Sequence, residues 1–114
     1  MQEKREYPRK NFNLPVTVRL PHQSIVAAKM VELSMKGMRL LCPIALEINS
    51  EVELLFSPPS EHTHEIRLKA NVRHLIEVHV TSTTPLEYRY AVGVNFTSPQ
   101  EHERMVIDEF LKEL

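Results

Sequence analysis

The sequence predicts an all-β fold, in which about six antiparallel strands form a closed or nearly closed barrel and one α-helix ends the chain. Two long stretches, residues 66–80 and 86–96, alternate apolar and polar side chains with a period of two, which is typical of antiparallel strands with one buried face. After residue 98 the period changes to that of an amphipathic helix. Six strands in a single domain of 114 residues favour a barrel with the helix packed against it.

Turn-forming residues divide the β region into its predicted strands. The first strand alternates from Leu14 to Leu20, and segments rich in Pro, Ser and Thr separate the later ones. The predicted strands cover residues 14–20, 24–33, 37–42, 51–56, 66–80 and 86–96. In the fifth strand the even-numbered residues share the predicted apolar face, with His74 as a core or barrel-rim histidine. In the sixth strand the apolar register holds three aromatic residues that we expect in the core: Tyr88, Tyr90 and Phe96.

The C-terminal helix is predicted over about residues 98–114. Its start matches a capping box, Ser98-Pro99-Gln100-Glu101, with proline at the first helical position. Apolar residues then recur on one stripe of the helix: Val106, Ile107, Phe110, Leu111 and Leu114. We expect this stripe to pack against the barrel.

Composition and charge exclude several classes of protein. Lys plus Arg total 14 and Asp plus Glu total 15, a net charge of −1, which argues against nucleic-acid binding by bulk electrostatics. No apolar run approaches the ~18 residues of a membrane span, and the polar N-terminus lacks the apolar segment of a secretory signal. Cys42 is the only cysteine, so an intrachain disulfide and a cysteine-rich zinc site are excluded. We expect a cytoplasmic protein with one domain, over residues 13–114, and no membrane insertion.

Candidate catalytic and metal-binding groups are few. The only aspartate, Asp108, lies in the predicted helix, and the pair Glu51 and Glu53 lies on the polar face of a strand, which is typical of a solvated surface. The six histidines are scattered over loops and strand faces rather than spaced as metal ligands. With two glycines, the chain has no glycine-rich phosphate loop. We therefore expect neither an enzyme nor a bound metal or cofactor.

Residues 1–12 are polar and basic and have no steady period, so they are predicted to form a flexible, exposed arm. Arg5 and Arg9 flank Tyr7-Pro8 within it, and a turn at that dipeptide would let both guanidinium groups reach one target. Each guanidinium presents a planar fork of donors that fits phosphate or the O6 and N7 edge of guanine. The alternative interpretation of the arm is a solvated basic tail.

A second candidate group lies in the segment 32–37, between the second and third predicted strands. Glu32 and Ser34 can project from the strand end there, while Gly37 permits the turn. A carboxylate at this place can accept hydrogen bonds from a base edge, and the hydroxyl can contact a phosphate or a base. Taken alone, the segment is also consistent with an ordinary hairpin turn that carries polar residues.

Together, the two groups resemble the two motifs of the PilZ domain family. The segment with Arg5 and Arg9, shortly before the first strand, is similar to the RxxxR motif of that family. The segment 32–37 is similar to the second motif, (D/N)xSxxG, and begins 23 residues beyond Arg9. Residues 92–96, Val-Gly-Val-Asn-Phe, followed by an amphipathic helix, are also similar to the end of the family's domain. The resemblance therefore covers essentially the whole chain.

The resemblance implies a six-stranded antiparallel barrel and a bacterial receptor for cyclic di-GMP. It assigns guanine and phosphate contacts to Arg5 and Arg9. Ser34 and Gly37 match the second motif as it stands, whereas Glu32 replaces the Asp or Asn of the family. Glutamate keeps the acceptor group but is one methylene longer, which moves the carboxylate and adds rotamer entropy that binding must remove.

We expect the domain to bind cyclic di-GMP and to pass this signal to an unidentified partner protein as the arm becomes ordered over the ligand. The alternative is a degenerate PilZ-like interaction module that does not bind the nucleotide, which Glu32 favours and the pair Arg5 and Arg9 opposes. A barrel for single-stranded nucleic acid would need aromatic and basic side chains interleaved on one strand face. Because the three aromatic residues of the sixth strand fall in the apolar register, nucleic acid is not an expected partner.

Overall fold

A computed structural model describes residues 10–57, 65–78 and 88–113. These residues form six β-strands followed by one α-helix. The strands are β1 (Lys10–Arg19), β2 (Ile25–Leu33), β3 (Gly37–Cys42), β4 (Glu51–Phe56), β5 (Ile66–Glu77) and β6 (Tyr90–Phe96). The helix is α1 (Glu101–Glu113).

The six strands close into a single barrel in the order β1-β2-β3-β6-β5-β4, with β4 paired back to β1. All neighbouring strands are antiparallel. Closure gives every strand two hydrogen-bonded neighbours, so the described strands leave no long unpaired edge. The fold class predicted from the sequence, an all-β antiparallel barrel with a C-terminal helix, is confirmed.

The core lies inside the barrel and continues under α1. Met30, Leu40 and Leu54 are fully buried in it, as is Ile107 of the helix, and Phe110 is 4% exposed. All belong to one cluster of buried apolar side chains. Among the described residues, no polar or charged residue is buried, so the interior is held by apolar packing.

β1 begins four residues earlier than the alternation of the sequence indicates. Lys10 pairs with Leu33 and Asn11 with Glu32, and the register shifts between Asn11 and Leu14. This β-bulge interrupts the two-residue period, which explains why the sequence pattern becomes visible only at Leu14. The last three residues of the predicted arm, 10–12, are therefore part of the sheet, and residues 1–9 lie outside the described residues.

β5 departs from the predicted alternation after Val72. The register against β6 shifts between Val72 and His74, and a β-bulge of this kind reverses which residues face the core. As a result His74 is exposed, and Ile76, predicted on the apolar face, has 65% of its surface exposed. Of the two alternatives predicted for His74, a core or a barrel-rim residue, the core position was wrong for this reason.

The ends of the last two strands also differ from the prediction. β5 ends at Glu77 rather than at residue 80, and β6 begins at Tyr90 rather than at residue 86. Two backbone hydrogen bonds continue the strand contacts a little further, from Val78 N to the Arg89 carbonyl at 2.8 Å and from Arg89 N to the Cys42 carbonyl at 3.0 Å. Residues 79–87 lie outside the described residues.

The helix starts at Glu101, and its capping residue is Gln100 rather than Ser98. The backbone N–H of Gln100 donates to Oε1 of Glu103 at 2.8 Å, which is the side-chain half of a capping box. The N–H of Arg104 donates to the Gln100 carbonyl at 3.0 Å and makes the first turn of the helix. The predicted box at 98–101 was therefore wrong by two positions, and Ser98 instead has a positive φ of 42° in the loop before the helix.

Other features of the described residues bear on function only indirectly. No helix among them is long and apolar enough to cross a membrane, and they contain no group of three or more side chains suited to hold a metal ion. Burial raises the pKa of the Cys42 thiol to about 12. The thiol therefore stays protonated at neutral pH, and Cys42 acts as a small apolar core residue.

Candidate ligand-binding site

The turn between β2 and β3 forms the centre of the candidate site. It connects Leu33, the last residue of β2, to Gly37, the first residue of β3. The backbone N–H of Ser34 donates to the Gly37 carbonyl at 2.9 Å and closes the hairpin. The carbonyl of Lys36 accepts from the N–H of Phe96 at 2.8 Å, which anchors the turn to the end of β6. The segment 32–37 is thus held on a rigid part of the barrel.

The Ser34 hydroxyl is tied into this turn. Its Oγ accepts a hydrogen bond from the backbone N–H of Lys36 at 3.2 Å and lies 3.4 Å from the Gly37 carbonyl. These contacts fix the rotamer of a half-buried side chain. A hydroxyl oxygen has two lone pairs, so one acceptor position and a weakly engaged proton are available for a ligand.

Glycine is required at position 37 because β3 and β6 approach each other closely there, and not because the turn needs a special backbone conformation. Its φ is not positive, so the expectation that glycine was needed to permit the turn was wrong in its reason. A Cβ at Gly37 would lie 2.0 Å from the carbonyl oxygen of Val94 on β6. Because the obstacle is backbone, any side chain here would push β3 and β6 apart.

Glu32 faces Arg39 across the β2–β3 ladder. The two residues are paired in register, and Oε2 of Glu32 lies 4.0 Å from Nη1 of Arg39. The Glu32 side chain is 14% exposed and that of Arg39 is 53% exposed, so the carboxylate is held near the sheet while the guanidinium extends into solvent. Arg39 is the residue of this region that the sequence patterns did not single out.

The predicted residues of the arm, Arg5 and Arg9, lie outside the described residues. Arg9 directly precedes Lys10 in the sequence, and Lys10 is paired with Leu33 inside the second motif. The barrel therefore brings the start of β1 beside the 32–37 segment. It brings Glu32, Ser34 and Gly37 together and leaves the roles of the two arginines as predictions.

Two of the three aromatic residues predicted in the core from the sixth strand lie against the core, and the third, Tyr88, precedes β6 and does not. Tyr90 and Phe96 are partly buried and pack against the core. Tyr88 differs, because it is half-buried outside the core cluster and Nζ of Lys29 lies 5.2 Å from its ring centroid. It is the one cation–π contact among the described residues.

An open groove of about 870 Å³ lies at the opposite end of the barrel. It is lined by the turn between β1 and β2 and by the loop after β3, with Ile25 and Ile44 among its exposed apolar residues. None of the predicted site residues lines it. The candidate site is therefore a surface site on the outside of the barrel and not this groove.

Comparison with known proteins shows to which family this chain belongs. The model of the family described as PilZ domain matches residues 3–113. This chain belongs to the PilZ domain family. The PilZ domain is a ligand-binding domain and not a catalytic one. A search of curated proteins found no match to the sequence.

Solved structures share the PilZ fold at low sequence identity. The PilZ domain of YcgR from Escherichia coli, solved with cyclic di-GMP, is 15% identical, with a TM-score of 0.72 over 97% of this chain and 94% of that one. The Bacillus subtilis inhibitor of motility, MotI, is 15% identical, with a TM-score of 0.76 over 98% of this chain and 52% of that one. The complex of Klebsiella pneumoniae MrkH with cyclic di-GMP is 15% identical, with a TM-score of 0.74 over 98% and 52%.

These similarities concern the fold. This chain spans about half the length of the MotI and MrkH chains that it matches, so the activities of those longer proteins are not transferred with the barrel. What the solved structures share with this chain is the scaffold on which Glu32, Ser34 and Gly37 lie.

Proposed function

We propose that this PilZ domain is a bacterial receptor for cyclic di-GMP that relays the signal to a partner protein through ordering of its N-terminal arm. The observation that carries the proposal is the β2–β3 turn, which holds Glu32, Ser34 and Gly37 on one rigid hairpin beside the start of β1. Membership of the PilZ family supports it, as do the structures of YcgR and MrkH with cyclic di-GMP bound.

Each proposed contact follows from the chemistry of the ligand. Cyclic di-GMP carries two phosphates and two guanines, and the guanidinium groups of Arg5 and Arg9 supply charge-assisted donors to them. The Glu32 carboxylate accepts from a guanine edge, and the Ser34 hydroxyl contacts phosphate or base. No catalytic step and no cofactor is part of this proposal.

The relay follows from where the arm joins the barrel. Residues 1–9 directly precede Lys10 in the sequence, and Lys10 is paired with Leu33, next to the motif on β2. Contacts from Arg5 and Arg9 to the ligand would therefore draw the arm over the site. The entropy lost on ordering is offset by the charge-assisted contacts, and the ordered arm presents a new surface to the partner.

Replacement of Arg9 tests the proposal at the residue that joins the arm to the sheet. We expect Arg9→Ala to weaken cyclic di-GMP binding by about 2–3 kcal/mol, the range for hydrogen bonds to charged groups. Arg9→Lys should recover only part of this loss, because lysine lacks the planar fork. Affinity is measured by isothermal titration calorimetry, and the melting temperature without ligand should stay unchanged.

Arg67→Ala is the control for this experiment. Arg67 is 58% exposed and has an ion pair with Glu65 at 4.0 Å. It lies on β5, which pairs with neither β2 nor β3. It should bind the ligand as the wild type does. Equal affinity in Arg9→Ala and the wild type would remove Arg9 from the site.

A degenerate interaction module remains the second candidate, and one observation favours it. Glu32 replaces the Asp or Asn of the motif, and its carboxylate is engaged by Arg39 at 4.0 Å. If that ion pair holds the carboxylate away from the ligand, the barrel serves a protein partner alone. Absence of cyclic di-GMP binding in both the wild type and Glu32→Asp would favour this candidate.

A further inference from the structure

Three apolar residues lie side by side on the outer wall of the barrel, near the ends of their strands that are farther from the β2–β3 turn. Register pairs Leu41 of β3 with Ala91 of β6, and Ala91 with Ile76 of β5. Their chain neighbours Leu40 and Val92 are fully buried, so these positions face outward. Ile76 has 65% of its surface exposed, and Leu41 and Ala91 are half-buried. We call Leu41, Ala91 and Ile76 the apolar row.

Basic side chains surround the apolar row. Lys29 of β2 is paired with the β3 member of the row and continues it by one position. Arg89, just before β6, and Arg73, on β5, are both exposed. The exposed acidic residue beside them is Glu77 of β5. The described residues around the row therefore carry more positive than negative side chains.

The exposed side of α1 has the complementary character. Ile107 and Phe110 hold the helix against the core, whereas Met105 is 57% exposed and Val106 is 37% exposed. The sequence of α1 contains five acidic and two basic residues, a net charge of −3. These are Glu101, Glu103, Asp108, Glu109 and Glu113 against Arg104 and Lys112. The helix is thus acidic, with apolar side chains on the side that faces away from the barrel.

The apolar row and the exposed side of α1 are separated within one copy of the chain. The N–H of Phe96 donates to the Lys36 carbonyl in the β2–β3 turn at 2.8 Å, so α1 follows β6 at that end of the barrel. Ala91 lies five residues earlier on β6, roughly 17 Å along the strand. Because α1 turns Ile107 and Phe110 into the core, its exposed side can lie on an apolar row only in a second copy.

We propose that two copies of this chain associate reciprocally, with the exposed side of α1 from each copy lying on the apolar row of the other. Met105 and Val106 pack against the row, and the acidic residues of the helix lie beside Lys29, Arg73 and Arg89. Both halves of the contact are present on one chain, and their opposite charges select a second copy as the occupant. The same pair of surfaces is used twice, so the assembly closes as a twofold dimer.

The size of the contact determines its strength. The 13 residues of α1 make a helix about 20 Å long and about 10 Å wide, and the row with Lys29 spans four strands, roughly 14 Å. Two such contacts, counted on both surfaces, cover roughly 800 Å², which is the size of weak and transient interfaces. We expect a dissociation constant of about 10–100 μM. None of these residues belongs to the candidate ligand site, so the association does not require cyclic di-GMP.

Sedimentation velocity of the full chain without nucleotide, over about 5 to 500 μM protein, measures this equilibrium. We expect Ile76→Asp and Met105→Asp each to raise the dissociation constant at least about tenfold, because each places a charge in an apolar contact. Both residues are exposed, so the melting temperature should stay unchanged. A wild type that is monomeric throughout this range overturns the proposal, as does either variant that dimerises like the wild type.

Ile25→Asp is the matched control. Ile25 is 64% exposed, almost as much as Ile76, but it lies at the start of β2, roughly 13 Å along the strand from Lys29. Ile25→Asp should dimerise as the wild type does. Loss of dimerisation equal to that of Ile76→Asp would place the contact at the groove that Ile25 lines and overturn the proposal.

A mixture of the two variants distinguishes helix-on-row contact from other dimers. The intact α1 of Ile76→Asp can lie on the intact row of Met105→Asp, which restores one of the two contacts. The mixture should therefore dimerise more strongly than either variant alone. A mixture as weak as the separate variants overturns the proposed arrangement. Raising the salt concentration should weaken the wild-type dimer by screening the charges, and a dimer that salt leaves unchanged or strengthens overturns the choice of a second copy as the occupant.

Discussion

Glu32 stands where the second PilZ motif has Asp or Asn. Its contact with Arg39 suggests how this difference can be tested. Its carboxylate is mostly shielded, with 14% of the side chain exposed, and lies 4.0 Å from the Arg39 guanidinium. The extra methylene of glutamate brings the carboxylate toward β3. A shorter side chain would withdraw the acceptor from Arg39.

We therefore expect Glu32→Asp to tighten cyclic di-GMP binding by about 1 kcal/mol, the size of a modest gain in hydrogen bonding. Glu32→Ala should weaken binding, because it removes the acceptor altogether. The two variants and the wild type are compared by calorimetry at one pH and one salt concentration. Identical affinities in all three would mean that the carboxylate does not contact the ligand.

Gly37 should be intolerant of any side chain, because a Cβ there would lie 2.0 Å from the Val94 carbonyl oxygen. We expect Gly37→Ala to lower the free energy of unfolding by about 3 kcal/mol, the upper part of the range for overpacking. Urea unfolding measures the change. Gly93→Ala is the control, since the three heavy atoms nearest to its Cβ all belong to the exposed His74 side chain, which can shift, and its effect should stay within about 0.5 kcal/mol. Equal effects of the two substitutions would contradict the structural role of Gly37.

The sequence predicts which polar residues lie at the β2–β3 turn, but it does not predict their contacts with neighbouring strands. Glu32, Ser34 and Gly37 were recognisable because they lie within six residues of each other between two strands. Arg39 was not, because its place beside Glu32 is created by pairing between strands. Gly93 and His74 meet for the same reason, and no local pattern in the sequence indicates cross-strand register.

At the scale of the elements, the proposed switch concerns residues 1–9 of the predicted arm, which precede β1 in the sequence. β1 begins at Lys10, whose pairing with Leu33 places the start of the strand beside the second motif. We expect backbone amides of residues 2–9 to exchange rapidly without ligand and to gain protection when cyclic di-GMP binds. Hydrogen exchange followed by mass spectrometry measures this, with cyclic di-AMP as the control nucleotide. Equal exchange with and without cyclic di-GMP would show that binding does not act through the arm.

The strands themselves were largely predictable, and the exceptions have a common cause. Half-buried antiparallel strands impose a two-residue period that is visible in the sequence, and β3 and β4 have the predicted bounds. The bulges in β1, after Asn11, and in β5, after Val72, shift that period by one residue. Neither bulge contains a Gly or a Pro, so no residue type in the sequence predicts where the bulges occur.

The start of α1 was misplaced for a different reason. Ser98 is a better capping residue than Gln100 by intrinsic preference, and it is followed by a proline at the favoured position. The N–H of Thr97 still donates to the Lys69 carbonyl at 2.8 Å, so the chain is bonded to β5 up to this residue. Residues 98 and 99 then connect the sheet to the helix. The first helical turn is therefore delayed until Gln100 can cap it.

The whole molecule is a closed barrel, and the proposed ligand site lies at its β2–β3 turn. Closure and the apolar core fix the positions of β2, β3, β5 and β6 relative to one another. In the proposed function these strands keep their positions when the ligand binds, and the predicted arm becomes ordered over it. The proposed signal relay combines this fixed barrel with the ordering of the predicted arm.

Calorimetric titration of the wild-type protein with cyclic di-GMP, with cyclic di-AMP in a parallel titration, tests the receptor function most directly. We predict saturable binding of cyclic di-GMP and no comparable binding of cyclic di-AMP, because adenine lacks the O6 acceptor and N2 donor that Arg and Glu side chains read on guanine. The stoichiometry of the same titration tells whether one nucleotide or a stacked pair is bound. No measurable heat with either nucleotide, or equal affinity for both, would contradict the account.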